Sequence, residues 1–212
     1  MLLKKRDMQL MAVADSALLL PDISLHDAVD AAIEGGASTI MLRDNSLPED
    51  DYMREAVRIK IMCGMHDVPF LVYGNMEAAE AVDADGIVVE IKDFNPKEIR
   101  RKFGADRSAG VVIGTVSDAI KAERDGASFL LLGPVSHKGK RKKKGTVNVE
   151  EVEEVCSVVS IPVVAHGGIA DENMNDLRGT GIFGIGVGTG IFGSDDIAGA
   201  ARSLRKLAVD VL

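Results

Sequence analysis

Eight short apolar runs recur along the chain: MQLMAVA (8–14), STIMLR (38–43), PFLVY (69–73), GIVVEI (86–91), GVVIGT (110–115), SFLLLG (128–133), IPVVAHGG (161–168) and IFGIGVG (182–188). They are nearly continuous in Val, Ile and Leu rather than alternating with polar residues, as expected of strands buried on both faces of a parallel sheet covered by helices. The intervening segments carry helical spacing. In PEDDYMREAVRIKIMCGM (48–65) acidic residues gather at the start, and Ala56, Val57, Ile59, Ile61 and Met62 supply an apolar side. Eight strand and helix alternations in a chain of 212 residues predict an α/β fold, a (β/α)8 TIM barrel in a single domain spanning 1–212. The competing open, doubly wound sheet usually places a glycine-rich loop after its first strand, and AVADSALLLPD has no glycine there.

Composition narrows the function. The chain is 46% hydrophobic, enough for one sizeable core, and its formal charge is −8. Six lysines and arginines lie between Lys138 and Lys144, so the rest of the chain carries −14. Positive charge confined to one stretch of an acidic molecule argues against nucleic-acid binding, which spreads basic residues over a face. Cys63 and Cys156 sit far apart in segments that read as helix, the pattern of free thiols in a reducing compartment. The apolar run near the start is broken by Asp15 and Ser16; it has neither the length of a membrane span nor the cleavage pattern of a secretory signal. The expectation is a cytoplasmic protein without membrane or nucleic-acid partners, with homo-oligomerisation left open.

In a barrel of this kind the working residues lie at the carboxyl ends of the strands. Those positions hold Asp15, Arg43 with Asp44, Tyr73, Glu90 with Asp93, Thr115 with Ser117, His166 with Gly167 and Gly168, and Gly188 with Thr189. The glycine clusters AHGGIADEN and GIGVGTGIFGSDD fall at strands seven and eight, where barrels often bind phosphate through closely approaching backbone amides; turn chemistry alone would also use glycine there. Arg43 suits a phosphate or carboxylate, or a rim salt bridge to Asp44 or Asp15. Glu90 and Asp93 suit Mg²⁺ held together with a diphosphate, while Asp93 also fits the N-cap region of the helix beginning near NPKEIRRKF. His166 reads as an acid or base, or as a ring filling the barrel mouth. No pair of histidines has metal-ligand spacing. The basic stretch reads as a loop whose charge answers a phosphorylated ligand, or as a solvated surface loop.

The segments GGASTIMLRDNSLPEDDYMREA, PFLVYGNMEAAEAVDADGIVVEIKD, GASFLLLGPVSHKGKRKKKG and IPVVAHGGIADEN, taken in order and at their spacing, resemble the thiamine phosphate synthase family, which includes the related thiazole tautomerases. The resemblance implies a (β/α)8 barrel that joins a hydroxymethylpyrimidine diphosphate to a thiazole phosphate, using Mg²⁺ and releasing pyrophosphate. The family's Gln-Leu-Arg-Glu-Lys falls on Met41, Leu42, Arg43, Asp44 and Asn45. Its Asn-Asp after strand three, whose aspartate binds magnesium, falls on Tyr73 and Gly74, and its second metal aspartate matches Asp93. The threonines and lysine of the loop after strand six fall on Lys138, Lys140 and Arg141. Gly167, Gly168, Gly188 and Thr189 match the positions that hold the thiazole phosphate. The expected catalytic set is therefore Arg43, Lys138, Lys140, Arg141 and His166. Met41, Tyr73, Thr115, Ser117 and the four glycine-loop positions would contact substrate, and Asp93 would hold Mg²⁺. The tautomerase branch uses a histidine just after strand five, and GTVSDAIKA has none. A same-fold enzyme for another phosphorylated heterocycle, and a non-catalytic phosphate-binding protein, are the other readings.

Overall fold

A continuous apolar run can be stable as a strand only if helices cover one face and other strands the other. That is the outcome in the computed structural model, which describes residues 2–136 and 145–212. The eight runs become β1 (Leu10–Ala14), β2 (Thr39–Leu42), β3 (Phe70–Tyr73), β4 (Gly86–Glu90), β5 (Ser108–Ile113), β6 (Phe129–Leu132), β7 (Val163–His166) and β8 (Gly184–Val187). All pair in parallel and in chain order, and β8 closes on β1. Helices α1 (Leu25–Glu34), α2 (Glu49–Met65), α3 (Met76–Ala81), α4 (Pro96–Phe103), α5 (Val116–Arg124), α6 (Val149–Val158), α7 (Thr189–Phe192) and α8 (Ile197–Val211) accompany them. The alternation lapses once: β7 is followed by a 3-10 turn, Met174–Leu177, instead of a full helix.

Two apolar layers result. The larger lies between strands and helices; the smaller fills the barrel with Met11, Met41, Leu71, Val88, Phe129, Leu131 and Val164, with Val13 and Val112 packed against them. Phe129 fits because β5 has Gly110 beside it, where a Cβ would lie 2.4 Å from the ring. Helix starts are fixed by local caps: Asn75 accepts from the Ala78 amide, Asn95 from Glu98, and Thr115 from Asp118. Asn148 and Glu151 form a reciprocal capping box on α6.

Two expectations need correction. The buried side of α2 is Tyr52, Ala56, Ile59 and Cys63, whereas Val57 and Ile61 face solvent at 46% and 61% exposure. The hydrophobic spacing allowed both stripes, and only the one in line with Tyr52 meets the barrel. The cap of α4 is Asn95, two residues beyond Asp93. Both cysteines lie in helices and are free, Cys63 buried and Cys156 half-buried.

Candidate active site

The inner layer sets the rim. Strand residues alternate between faces, so two positions beyond the inward Val13, Met41, Leu71, Val88, Val112, Leu131, Val164 and Gly186 come Asp15, Arg43, Tyr73, Glu90, Gly114, Gly133, His166 and Gly188. The ends of β1–β4 thus contribute four polar side chains, and those of β5–β8 contribute three glycines and one imidazole. Open space results above β5, where a Cβ at Gly114 would meet nothing within 4 Å.

A cavity of about 280 Å³ lies at the ends of β1, β2, β7 and β8 and is lined by Asp15, Arg43, His166, Gly167, Gly168 and Gly188, with Thr189 and Gly190 at its edge. Gly167 and Gly168 have φ of 80° and 72°, the left-handed region where a side chain would be strained. Asn173 braces this turn: its Nδ2 donates to the Gly168 carbonyl at 2.9 Å and its Oδ1 accepts from the Ala170 amide at 3.0 Å. The amides of Gly167, Gly168, Gly188, Thr189 and Gly190 donate to no acceptor among the described residues. They belong to residues that line the cavity and are unspent donors, an arrangement that suits an anion.

Arg43 supplies the cation. The alternative rim salt bridge to Asp44 or Asp15 does not form, and Asp44 is committed elsewhere. Burial by itself would raise the Asp44 carboxyl, but hydrogen bonds from Ser16 and Ser46 outweigh it and hold that group below the ordinary carboxylate range. Asp44 accepts from the Ser16 amide at 2.8 Å, from the Ser46 amide at 2.8 Å and hydroxyl at 2.7 Å, and from the Leu47 amide at 3.2 Å. Asp15 accepts from the Ala17 amide at 3.0 Å. Arg43 instead sits over the Tyr73 ring, 4.8 Å from its centroid. The Tyr73 hydroxyl donates to Glu90 Oε1. Burial first, then that hydrogen bond and the charges of Glu90 and Asp93, push the phenol up to about 12, so it stays a protonated donor at neutral pH.

His166 sits across the cavity. Its ring lies over Gly133, where a Cβ would come 2.1 Å from the His166 carbonyl oxygen and 3.1 Å from Cδ2. Burial, with the Arg43 charge second, pushes the imidazole down to about 4; it is neutral at physiological pH. Its Nε2 is buried without a hydrogen-bond partner among the described residues.

The other named positions distribute as follows. Met41, 2% exposed, belongs to the inner apolar layer directly beneath Arg43 and lines neither this cavity nor its neighbour. Thr115 spends its hydroxyl on α5, bonding the Asp118 amide and carboxylate, and Ser117 is exposed in the first turn of that helix. Asp93 is exposed on the short turn after β4. No three metal-ligating side chains converge among the described residues. With Glu90 engaged by Tyr73, Asp93 is left as one hard oxygen donor, a set suited to Mg²⁺ that arrives with a substrate's phosphates rather than to a resident ion. Lys138, Lys140 and Arg141 lie outside the described residues. Asn173 was not singled out from sequence, although its place in AHGGIADEN, five residues beyond the second glycine, is a usable signal. A larger, shallower cleft of about 680 Å³ between the starts of α2, α3 and α4 shares Tyr73 as a wall; Glu49, Glu77 and Glu98 make it unsuitable for a diphosphate.

No helix among the described residues is long and apolar enough to cross a membrane. The thiamine monophosphate synthase family model matches residues 10–191. Thiamine-phosphate synthase from Clostridium beijerinckii is 33% identical over 202 residues, covering 95% of this chain and 96% of that protein. The enzyme of the same name from Clostridium tetani is 32% identical, with 95% and 96% covered. Thiamine phosphate pyrophosphorylase from Pyrococcus furiosus superposes with a TM-score of 0.86 at 27% identity over 98% of each chain. Full-length correspondence in sequence, together with a barrel that carries its glycine cavity at the ends of β7 and β8, makes this chain a member of the thiamine monophosphate synthase family.

Proposed function

We propose that the protein is a thiamine-phosphate diphosphorylase-type transferase, joining a hydroxymethylpyrimidine diphosphate to a thiazole phosphate with release of pyrophosphate. The observation that carries this reading is that Arg43, with no carboxylate partner among the described residues, lines the same cavity as five residues whose amides are unspent there, in a family member. The amides of Gly167, Gly168 and Gly188 bind the thiazole phosphate. In the reaction the C–O bond to diphosphate breaks as a C–N bond to the thiazole forms, so negative charge grows on the leaving group. Arg43, held over the Tyr73 ring, offers a positioned positive charge to that group as the charge develops. The Val13, Leu18 and Ile169 walls of the cavity limit water around the reacting groups. Asp93 is the residue that would hold Mg²⁺, and the ion when bound supplies further neutralisation of the diphosphate.

The replacement of the family's metal aspartate by Gly74, with Tyr73 before it, favours a second reading: the same phosphate cavity serving a different phosphorylated heterocycle. One assay separates the two. Purified protein is incubated with the pyrimidine diphosphate and thiazole phosphate, with and without Mg²⁺, and thiamine phosphate and pyrophosphate are quantified. Equimolar appearance of both supports the transferase. Absence of both products, with inorganic phosphate still bound in an Arg43-dependent way, points to the alternative heterocycle.

A further inference from the structure

We propose that His166 is a direct ligand contact, its Nε2–H donating a hydrogen bond to the phosphate bound by the glycine amides. The inference rests on the phosphate reading of the cavity and adds a residue type to it.

Three observations carry it. The side chain is the inward member of its strand end and lines the cavity with Gly167, Gly168 and Gly188. Its Nε2 is buried and unpaired among the described residues, whereas buried polar atoms in proteins nearly always have a partner, and leaving one without is destabilising. The pose is built: β6 offers Gly133 beneath the ring and β8 offers Gly186 beside its Cβ, where larger residues would expel it. A ring accommodated by two glycines and left with an unspent nitrogen in an anion-binding cavity is placed for the anion.

The choice of donor follows from the neighbours. Apart from Asp15 and the Thr189 hydroxyl, which can donate or accept, the polar side-chain and amide groups of the cavity are donors: the glycine amides and the Arg43 guanidinium. The oxygens of a doubly ionised phosphate monoester only accept, so the nitrogen that meets them must carry the proton, which selects the Nε2–H tautomer. Among the described residues, the titratable groups that share the cavity with the ring are Arg43 from β2 and Asp15 from β1, with Tyr73 and Glu90 further round the rim; the ends of β5, β6 and β8 contribute glycine. Burial, with the Arg43 cation second, keeps the imidazole neutral before the phosphate arrives, so it acts as a dipole and not as a second charge.

The test uses the full chain with histidine ring nitrogens labelled, titrated with methyl phosphate at about pH 8, where the monoester is doubly ionised, and followed by NMR, with calorimetry on the wild type and on His166→Leu, His166→Gln and Arg43→Ala. The expected result is that the His166 ring shows the Nε2–H tautomer, that its Nε2 resonance moves along the same binding curve as the calorimetric signal, and that His166→Leu weakens phosphate about tenfold. His166→Gln, which keeps a donor, should stay within about threefold of wild type. If wild type binds phosphate in an Arg43-dependent way while the ring resonances stay still, or His166→Leu binds equally well, the histidine contact is overturned and the phosphate cavity stands. If wild type takes up no phosphate, or Arg43→Ala binds as wild type does, the cavity reading itself fails and the contact with it. The ring measurement needs no variant, so a His166 substitution that unfolds the chain does not shelter the proposal.

Discussion

The two halves of the barrel rim solve opposite problems. At β1–β4 the inward residues are Asp15, Arg43, Tyr73 and Glu90, a coupled set in which a carboxylate holds a phenol and the phenol carries a guanidinium. At β5–β8 they are Gly114, Gly133, His166 and Gly188, which leave room and expose backbone amides. One half positions charge; the other makes space and leaves main-chain amides unspent. On the proposed reading, an acidic protein would accommodate an anion without a broad basic surface, because one arginine and a handful of amides line the same small cavity.

Removing the charge from the polar half should have the largest effect. Arg43→Ala is expected to lower kcat/KM for thiamine phosphate formation by about 10²–10³-fold, the usual scale for losing a preorganised donor to developing negative charge. Steady-state kinetics check this, and a loss under tenfold would move the catalytic charge away from β2. The largest effect on stability belongs to the other half. With its imidazole pushed down to about 4 from the ordinary 6.5, His166 takes up a proton in the unfolded chain before it does so in the folded one. Stability is therefore lost as pH falls from about 6.5 to about 4, by ~3 kcal/mol, and is fully present above that window. Urea unfolding at several pH values, compared with His166→Leu to remove the carboxylate background, should show the wild-type slope flattened in the variant.

Filling the space of the glycine half comes next. Gly133→Ala would put a methyl 2.1 Å from the His166 carbonyl oxygen, which belongs to backbone and cannot swing aside. A cost of roughly 2 kcal/mol in stability is expected, with displacement of the ring visible as a change in its titration. Tyr73→Phe should be milder. The ring remains beneath Arg43, and only the hydrogen bond to Glu90 is lost, so kcat should fall by about three- to tenfold with little change in stability. Tyr73→Ala, which removes the platform, should approach Arg43→Ala; equal effects of Phe and Ala at this position would make the hydroxyl, not the stacking, the active feature.

How much of this could be read from the chain divides along the same line. Continuous apolar runs specify parallel strands on physical grounds alone, so the barrel and the places of Arg43, His166 and the glycine pairs follow from spacing. Their couplings do not. Arg43 could have paired with Asp44 as far as sequence shows, and only the turn at Ser16 and Ser46 reveals that Asp44 is already committed. The engagement of Glu90 by Tyr73 joins residues 17 apart in sequence, and no local pattern announces it. Position after a strand also fails to distinguish a ligand contact from a helix cap, because both favour a small hydroxyl or amide side chain at the same place.

Thr115 is the sharpest instance of that ambiguity, and its expected effect is the smallest. It follows Gly114 at the end of β5, inside the roomy half, where a hydroxyl for a substrate would be welcome. Yet its Oγ1 accepts from the Asp118 amide at 3.1 Å and donates to the Asp118 carboxylate at 2.7 Å, so both functions of the hydroxyl are used within α5. Thr115→Ala should therefore cost about 1 kcal/mol of stability, the usual value of an N-cap, and leave kcat/KM within about twofold. A tenfold fall in kcat/KM with the unfolding midpoint unchanged would show the opposite: the cap would have to be released to meet the ligand, and the glycine half would recognise its substrate through a side chain as well as through the main chain.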